Sequence, residues 1–413
     1  MHLSVAPRPA LRNTLLVALF AALVGLLGPL AGLVPRGMPV WALSTLALTA
    51  GLLAAGTPRN ASALAALRPQ PHAAAVVLAF LAAAATSVAW SPSPRAVTTV
   101  LEIGYIALTA LVTWACLTQL PEEACGMLGR LFVGGLLLGI LLFAVEEAFD
   151  HPLHRWVNGL SPTAKLGSNN VPKRAAALLA LLVWPAALVL WRRGYGRMAL
   201  GLPVAFAALG LMQSSRSAMV GVTIGLAVFA FAAWRTTAAR RALGTALAAA
   251  FAGAIPLAYL LDRTFDLSHA NWLFRSARHR VEIWGRAADR AMETPLFGQG
   301  IDASRALAPM GETSQFETLT TSLLPLHPHN VFLQVWLELG AVGAALALAG
   351  GLLLLGATRR LAAEDQPYAL AGFAAALAMA STAYGIWQAW WMAGMLATGL
   401  TMALAARVPR RTA

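Results

Sequence analysis

Apolar runs of about eighteen or more residues recur along nearly the whole chain, the length a helix needs to cross a hydrocarbon core. Such runs lie near Thr14–Pro35, Val40–Gly56, Ala73–Trp90, Val97–Thr118, Leu128–Ala148 and Ala175–Trp191. Others lie near Met198–Ser215, Ala218–Trp234, Leu243–Leu261, Val331–Ala357, Pro367–Trp387 and Ala389–Ala406. Charge is correspondingly scarce: 11% of the 413 residues are charged and 59% are hydrophobic, where a soluble domain carries about 25% charged residues. These features predict an all-α integral membrane protein of about twelve transmembrane helices. The first run lacks a clear small-residue cleavage site before the second begins, so we read it as an anchor and not a removed signal.

The formal charge of +13 does not point to nucleic acid, because its arginines follow the positive-inside pattern. With both termini inside, the inner segments hold Arg59, Arg68, Arg130, Arg192, Arg193, Arg197, Arg235, Arg240, Arg241, Arg359 and Arg360. Short outer loops hold little beyond Arg36, Arg95 and Arg216. The predicted orientation is N-in, C-in, with membrane lipids as partners and no nucleic acid. Cys116 and Cys125 fall toward the inner side, where disulfides are rare. The outer segments contain no cysteine and therefore no thiolate metal site.

Two outer segments exceed the length of ordinary connectors, about Phe149–Arg174 and Asp262–His329, and loops of that size usually carry function. The expected organisation is helices one to nine over 1–261, an outer loop over 262–329, and helices ten to twelve over 330–413. Within the loop, "RVEIWGRAADRAMETPLFGQG" reads as a helix with apolar Val281, Ile283, Trp284, Ala287, Ala288 and Ala291, stopped by Pro295 and Gly298.

The loop ends in His327-Pro-His329-Asn330 at the mouth of the tenth run. A helix N-terminus favours an anionic ligand, and histidine can be neutral and accept a proton near neutral pH. Capping requires only Asn330 and leaves both imidazoles unexplained. A His-x-His metal pair is a third reading, although zinc asks for a further protein ligand.

Arg216 stands in "SSRSAMVG" between runs seven and eight, with almost no room for a loop. Arginine at bilayer centre costs roughly 3 kcal/mol even on insertion scales; near the interface it can instead snorkel to lipid headgroups. Its flanking serines favour a polar pocket floor. Arg280, Arg286 and Arg290 are offset by six and four residues, so they cannot share one helix face; one or two could hold an anion while others pair with Glu282, Asp289 or Glu293. Glu338 lies about two turns into the tenth run and Glu102 about one turn into the fourth. An intramembrane carboxylate is a functional candidate or the partner of a nearby arginine. The chain has no Asp-x-Asp, hence no usual divalent-metal diphosphate site, and no Walker-type phosphate loop.

Taken together, "SSRSAMVG", "RVEIWGRA…ETPLFGQG" and "HPHNVFLQVWLELGAVG" resemble the bacterial O-antigen ligase and polymerase family over roughly Gly210–Gly343. About twelve spans with a long outer loop between nine and ten resemble the ligase branch. The resemblance implies an inner-membrane glycosyltransferase with its active site at the periplasmic face. It would move polysaccharide from undecaprenyl diphosphate onto a sugar hydroxyl of lipid A–core oligosaccharide, without a cofactor or metal. It makes His329 the catalytic residue and Arg216 and Arg280 the diphosphate ligands. His327, Asn330, Glu338, Lys173, Arg174 and Arg286 are further candidates; Lys173 and Arg174 lie in "NNVPKRAAALLALLVWP", which resembles the family's stretch opening the sixth span. The residues suit that chemistry: diphosphate is a good leaving group that fixed positive charge can stabilise, and a sugar hydroxyl gains from a neutral imidazole base. Single displacement with inversion is expected. A polymerase or a protein oligosaccharyltransferase of the same family shares this pattern. A transporter would call for inverted repeats or broken helices near the midplane, and no duplication is visible.

Overall fold

A computed structural model of the chain describes residues 11–56, 71–157, 161, 170–210, 215–307 and 327–411. The described residues form helices joined by turns, with no strand, and the chain is a multi-pass membrane protein. Among the described residues, six helices are long and apolar enough to cross a membrane, or seven when the pair Thr14–Gly25 and Leu27–Leu33, bent by 40°, counts as one span. The remaining runs expected to span form shorter apolar helices: Pro71–Ser87, Gly196–Leu209, Gln366–Ala380 and Ala389–Ala405. The chain divides into two compact units, one of Met1–Pro69, Tyr105–Val222 and Ala393–Ala413, the other of Gln70–Gly104 and Thr223–Met392.

In the first unit, α1 (Leu11–Gly25), α2 (Leu27–Leu33) and α3 (Met38–Gly56) precede the longer helices. α2 packs backbone to backbone against a later helix of this unit, Glu122–Ala148. A Cβ on Gly28 would stand 2.2 Å from the Gly135 carbonyl oxygen, and one on Gly139 would stand 2.2 Å from that of Gly28. Lipid tails are as apolar as leucine, so helices in a bilayer associate by such close packing of small residues. Within Asn170–Arg192 the stretch from Ala175 to Leu190 is apolar all round and buried at every position, as a run of that composition must be.

The second unit contains α4 (Pro71–Ser87) and much of α10, Arg216–Tyr259, in which Arg235 leaves helical geometry and divides two apolar runs. The helices numbered between them are α5 (Ala96–Gln119), α6 (Glu122–Ala148), α7 (Pro152–Val157), α8 (Asn170–Arg192) and α9 (Gly196–Leu209). The outer loop forms α11 (Arg275–Glu293) and the short α12 (Ser304–Leu307); α13 (Val331–Ala357), α14 (Gln366–Ala380) and α15 (Ala389–Ala405) follow.

α13 is broken at Gly340, whose φ of 61° and ψ of −161° lie in a region open essentially to glycine alone. The break separates Leu337 and Glu338 carbonyls from the N–H groups of Ala341 and Val342, their helical partners. The segment Pro295–Gly300 satisfies both sides. Gln299 N–H donates to the Leu337 carbonyl at 2.8 Å and Gly300 N–H to that of Glu338 at 2.9 Å. Ala341 N–H donates to the Pro295 carbonyl at 2.8 Å and Val342 N–H to that of Leu296 at 3.2 Å. The two backbones meet so closely that a Cβ on Gly340 would lie 2.5 Å from the Leu296 carbonyl carbon, and one on Gly298 would lie 2.4 Å from that of Glu338. The loop that follows is stapled to the end of α4. Ser91 Oγ donates to the Ile301 carbonyl at 2.6 Å, and Ile301 N–H donates to Ser87 Oγ at 3.0 Å. Trp90 Nε1–H donates to the Gly298 carbonyl at 3.1 Å.

Gly340→Ala must therefore take up backbone strain of about 1–3 kcal/mol in addition to a steric overlap. In detergent-purified protein we expect its thermal midpoint to fall by several degrees or its yield of monodisperse protein to collapse. Gly253→Ala, whose Cβ meets nothing within 4 Å, should melt with the unmodified protein.

Candidate active site

Asn330 caps α13 directly, its side-chain oxygen accepting from Phe332 N–H at 3.0 Å and Leu333 N–H at 3.2 Å. These are the N2 and N3 donors that a cap satisfies. The residue before it, His329, has a φ of 56°, a left-handed conformation uncommon for a side chain of this size. This conformation accompanies a ring whose Nδ1 lies 2.7 Å from the Ala383 carbonyl oxygen. A carbonyl can only accept, so Nδ1 carries the hydrogen and Nε2 keeps its lone pair. Burial lowers the pKa of His329 below the ordinary imidazole value; the Ala383 bond opposes that shift, and the nearby Arg280 and His279 add to it. His329 is a neutral imidazole with a fixed tautomer, the form required of a general base.

His327 is a different kind of histidine. It is 7% exposed, and its ring lies on Gly385, where a Cβ would stand 2.7 Å from the ring carbon Cγ. Both ring nitrogens are engaged: the backbone N–H of His329 donates to Nδ1 at 3.2 Å, and Nε2, which then carries the ring hydrogen, faces the Gln388 side-chain amide at 2.8 Å. Both nitrogens of His327 are thus engaged within the protein, and burial, then His329 and Arg305, pushes its pKa down to about 3. The two rings pack edge to face at 4.3 Å between centroids. His327 belongs to the frame of the site. Among the described residues, no three His, Cys, Asp or Glu side chains come together as metal ligands.

α11 closes over this motif. Val281, Ile283, Ala287, Ala288 and Ala291 form its buried face, and Trp284 Nε1–H donates to the Pro328 carbonyl at 3.0 Å. Arg280 stands one turn before Trp284 and so shares its face. Its charge acts on His329, and burial lowers its own pKa while Tyr384 opposes that shift. The other loop arginines have other neighbours. Arg290 pairs with Glu293 at 2.9 Å, and Arg278 donates to Asn271 at 2.9 Å. Arg286 lines a polar hollow of about 390 Å³ with Asp262, Arg263, Ser268, His269, Glu282 and Asp289.

Glu338 is wholly buried and pairs with neutral donors. Its carboxylate accepts from Asp302 N–H at 2.6 Å, Ser304 Oγ at 2.5 Å, Gln334 Nε2 at 3.0 Å and the indole N–H of Trp387. Its oxygens are committed to holding the 302–304 turn and Trp387. Glu102 faces Arg95 at 3.5 Å. Arg216, the exposed first residue of α10, and the half-buried Lys173 and Arg174 near the start of α8 belong to the first unit. The second unit brings together His327, His329, Asn330 and Arg280, with Glu338 on the same helix.

Ala383, Gly385 and Gln388 complete the site and went unnoticed in the sequence. They lie more than fifty residues beyond His329 in an alanine-rich region. The one available signal was "YGIWQAWW", a glycine and a glutamine among aromatic residues between two apolar runs.

A family model described as O-Antigen ligase matches residues 201–348. A Rickettsia conorii protein named "Putative polysaccharide ligase" is 27% identical over 272 residues, covering 64% of each chain. Relatives of the same description from Rickettsia felis and Rickettsia bellii are 27% and 28% identical, over 62% and 67% of each chain respectively. The chain thus spans less than two thirds of the length of the Rickettsia conorii relative.

The geometry sets a spectroscopic expectation. In ¹⁵N-histidine-labelled protein, His329 should show the Nδ1–H tautomer and remain neutral as pH falls through 6.5, because its pKa lies below that value. The groups acting on it are His327, His279 and Arg280. An Nε2–H resonance, or titration at or above the ordinary value, would contradict the assignment.

Proposed function

We propose that the chain, whose residues 201–348 match the O-antigen ligase family model, transfers polysaccharide from undecaprenyl diphosphate to a sugar hydroxyl of lipid A–core oligosaccharide. In this reading it is an N-in, C-in protein of the bacterial inner membrane, and α11 and the His327–Asn330 motif face the periplasm. The observation that carries the reading is His329: its Nδ1–H is held by a carbonyl, its Nε2 keeps a lone pair, and Arg280 stands beside it.

The reaction follows from these groups. An acceptor hydroxyl donates its hydrogen bond to His329 Nε2. As the hydroxyl oxygen forms its bond to the anomeric carbon, its proton passes to the imidazole. The bond from that carbon to the diphosphate oxygen breaks on the opposite face, and its electron pair leaves with the diphosphate. One displacement inverts the sugar. Negative charge grows on the departing oxygen, where a preorganised guanidinium is worth most. Arg280 supplies that charge on α11, and its planar fork matches phosphate oxygens. The same cation disfavours protonation of His329 and so keeps the base in its active form. Arg216 is assigned to the diphosphate on the resemblance alone. The reaction in this reading needs no metal.

The direct test mixes purified protein with lipid-linked polysaccharide and lipid A–core in the presence of EDTA. Polymer should appear on the core; lengthening of the lipid-linked chain instead would mark a polymerase. His329→Ala should abolish transfer, a loss of at least about 10²-fold, while retaining normal elution and melting. His327→Ala should instead lower the melting temperature, since its ring fills the space between Gly385 and Gln388. Substantial turnover by His329→Ala removes the base from the mechanism.

Arg280→Lys keeps the charge and loses the fork. If the contact tightens as the bond breaks, its effect falls on kcat more than on KM. Steady-state kinetics across donor concentration should show this for Arg280→Lys and, separately, for Arg216→Lys. Wild-type kcat in either variant removes that arginine from the diphosphate site.

A further inference from the structure

The turn between α14 and α15 is tied to the first turns of α13 by a ladder of side-chain bonds. His327 meets Gln388, His329 donates to the Ala383 carbonyl, and Trp387 donates to Glu338. The remaining rung is Gln334. Its side chain is 2% exposed, its Oε1 accepts from Ile386 N–H at 2.9 Å, and its Nε2 donates to Glu338 Oε1 at 3.0 Å. Gln334 uses both ends of its amide: the oxygen grips the turn, and the nitrogen is braced on a carboxylate that cannot shift without losing Ser304, Asp302 and Trp387.

Ile386 lies three residues after Ala383, and Gln334 lies five after His329. The two bonds His329 Nδ1–H to Ala383 and Ile386 N–H to Gln334 are therefore neighbouring links between the same two segments. Ala383 lies two residues before Gly385, and its carbonyl has no sheet or long helix to fix its direction: residues 381–387 form turns between α14 and α15. The orientation of that carbonyl depends on what holds the turn.

We propose that Gln334 is a positioning residue for His329: by holding Ile386 N–H against the Glu338 carboxylate, it aims the Ala383 carbonyl at Nδ1 and thereby sets the tautomer of the base. The proposal rests on the reading of His329 as the base for its consequence in catalysis, but its structural content stands without it. A glutamine in this place has a chemical reason. One group must accept from a backbone N–H and donate to a carboxylate, and a carboxamide has one atom for each task. Methionine has the same length and neither capacity. The tautomer would then be decided at Gln334, which does not touch the ring, through the backbone of the turn.

The test is ¹⁵N-histidine NMR of two changes made in the full chain, with His329→Ala as the assignment control. Gln334→Met removes both bonds. Replacing Ile386 by its α-hydroxy acid removes the N–H from which Gln334 accepts, weakens the Gly385 carbonyl as the acceptor for Gln388 N–H, and leaves every side chain in place. In the unmodified protein His329 should be a single Nδ1–H tautomer, and in either altered protein the Nε2–H form should appear alongside it. Transfer should fall about 10²-fold in kcat with KM little changed, the effect of misplacing a catalytic group. Gln334→Glu provides the conservative control. The introduced carboxyl can share one proton with Glu338 and still accept from Ile386, so it should restore the Nδ1–H signal. If Gln334→Met fails to fold, the ester decides. A folded protein of either kind that keeps the pure Nδ1–H tautomer overturns the proposal. A shifted tautomer together with full transfer by His329→Ala would leave the positioning role intact and dispose of the base.

Discussion

The interaction on which the second unit depends is the exchange of backbone hydrogen bonds at Gly340. A helix entering lipid cannot break without stranding carbonyls and N–H groups, and each stranded group costs several kcal/mol where no water can reach it. α13 breaks nonetheless, because Pro295–Gly300 brings carbonyls and N–H groups that replace the lost ones. Pro295 lacks an N–H and offers only its carbonyl, which is what Ala341 requires. The sequence stretches "ETPLFGQG" and "LELGAVG" are thus two halves of one contact. This contact anchors the C-terminal end of α11, and the Trp284 bond to Pro328 anchors its middle. Arg280 owes its place beside His329 to both.

Glu338 extends the same frame. A buried carboxylate is costly unless its oxygens are satisfied, and this one is surrounded by an amide, a hydroxyl, an indole and a backbone N–H. Neutral donors let it fasten three segments without bringing a compensating cation into the helix core. The cation whose charge acts on His329 is Arg280. A cation beside a partly buried imidazole weakens it as a base and also keeps it unprotonated. For a weak nucleophile meeting a good leaving group, an available base of modest strength and a fixed cation form a consistent pair.

Much of this was legible in the residues. Apolar runs set the helices, because only a helix satisfies its own backbone in lipid. Asn330 before an apolar run marked a cap, Pro295 marked the end of α11, and the offsets of Arg280, Arg286 and Arg290 excluded a shared face; Arg286 does lie with Asp262, Glu282 and Asp289. Two readings needed the fold. Glu338 was expected to serve the reaction or to face an arginine, and it faces neutral donors. The motif around the His-x-His pair reads as a catalytic or binding site, a helix cap or a metal pair, and in the fold its two rings have different surroundings.

The sequence by itself determined where helices form, where they are capped and which residues carry titratable or cationic chemistry, since these follow from local periodicity and side-chain type. Only the tertiary structure decided what each imidazole can do. His327 and His329 are identical in chemistry and two positions apart. A carbonyl from the Ala383 turn leaves one with an open lone pair, while Gln388 and the backbone close both nitrogens of the other. A proton's location on a ring is set by the atoms across from it, and those atoms come from a turn more than fifty residues away that no local pattern could identify as a partner.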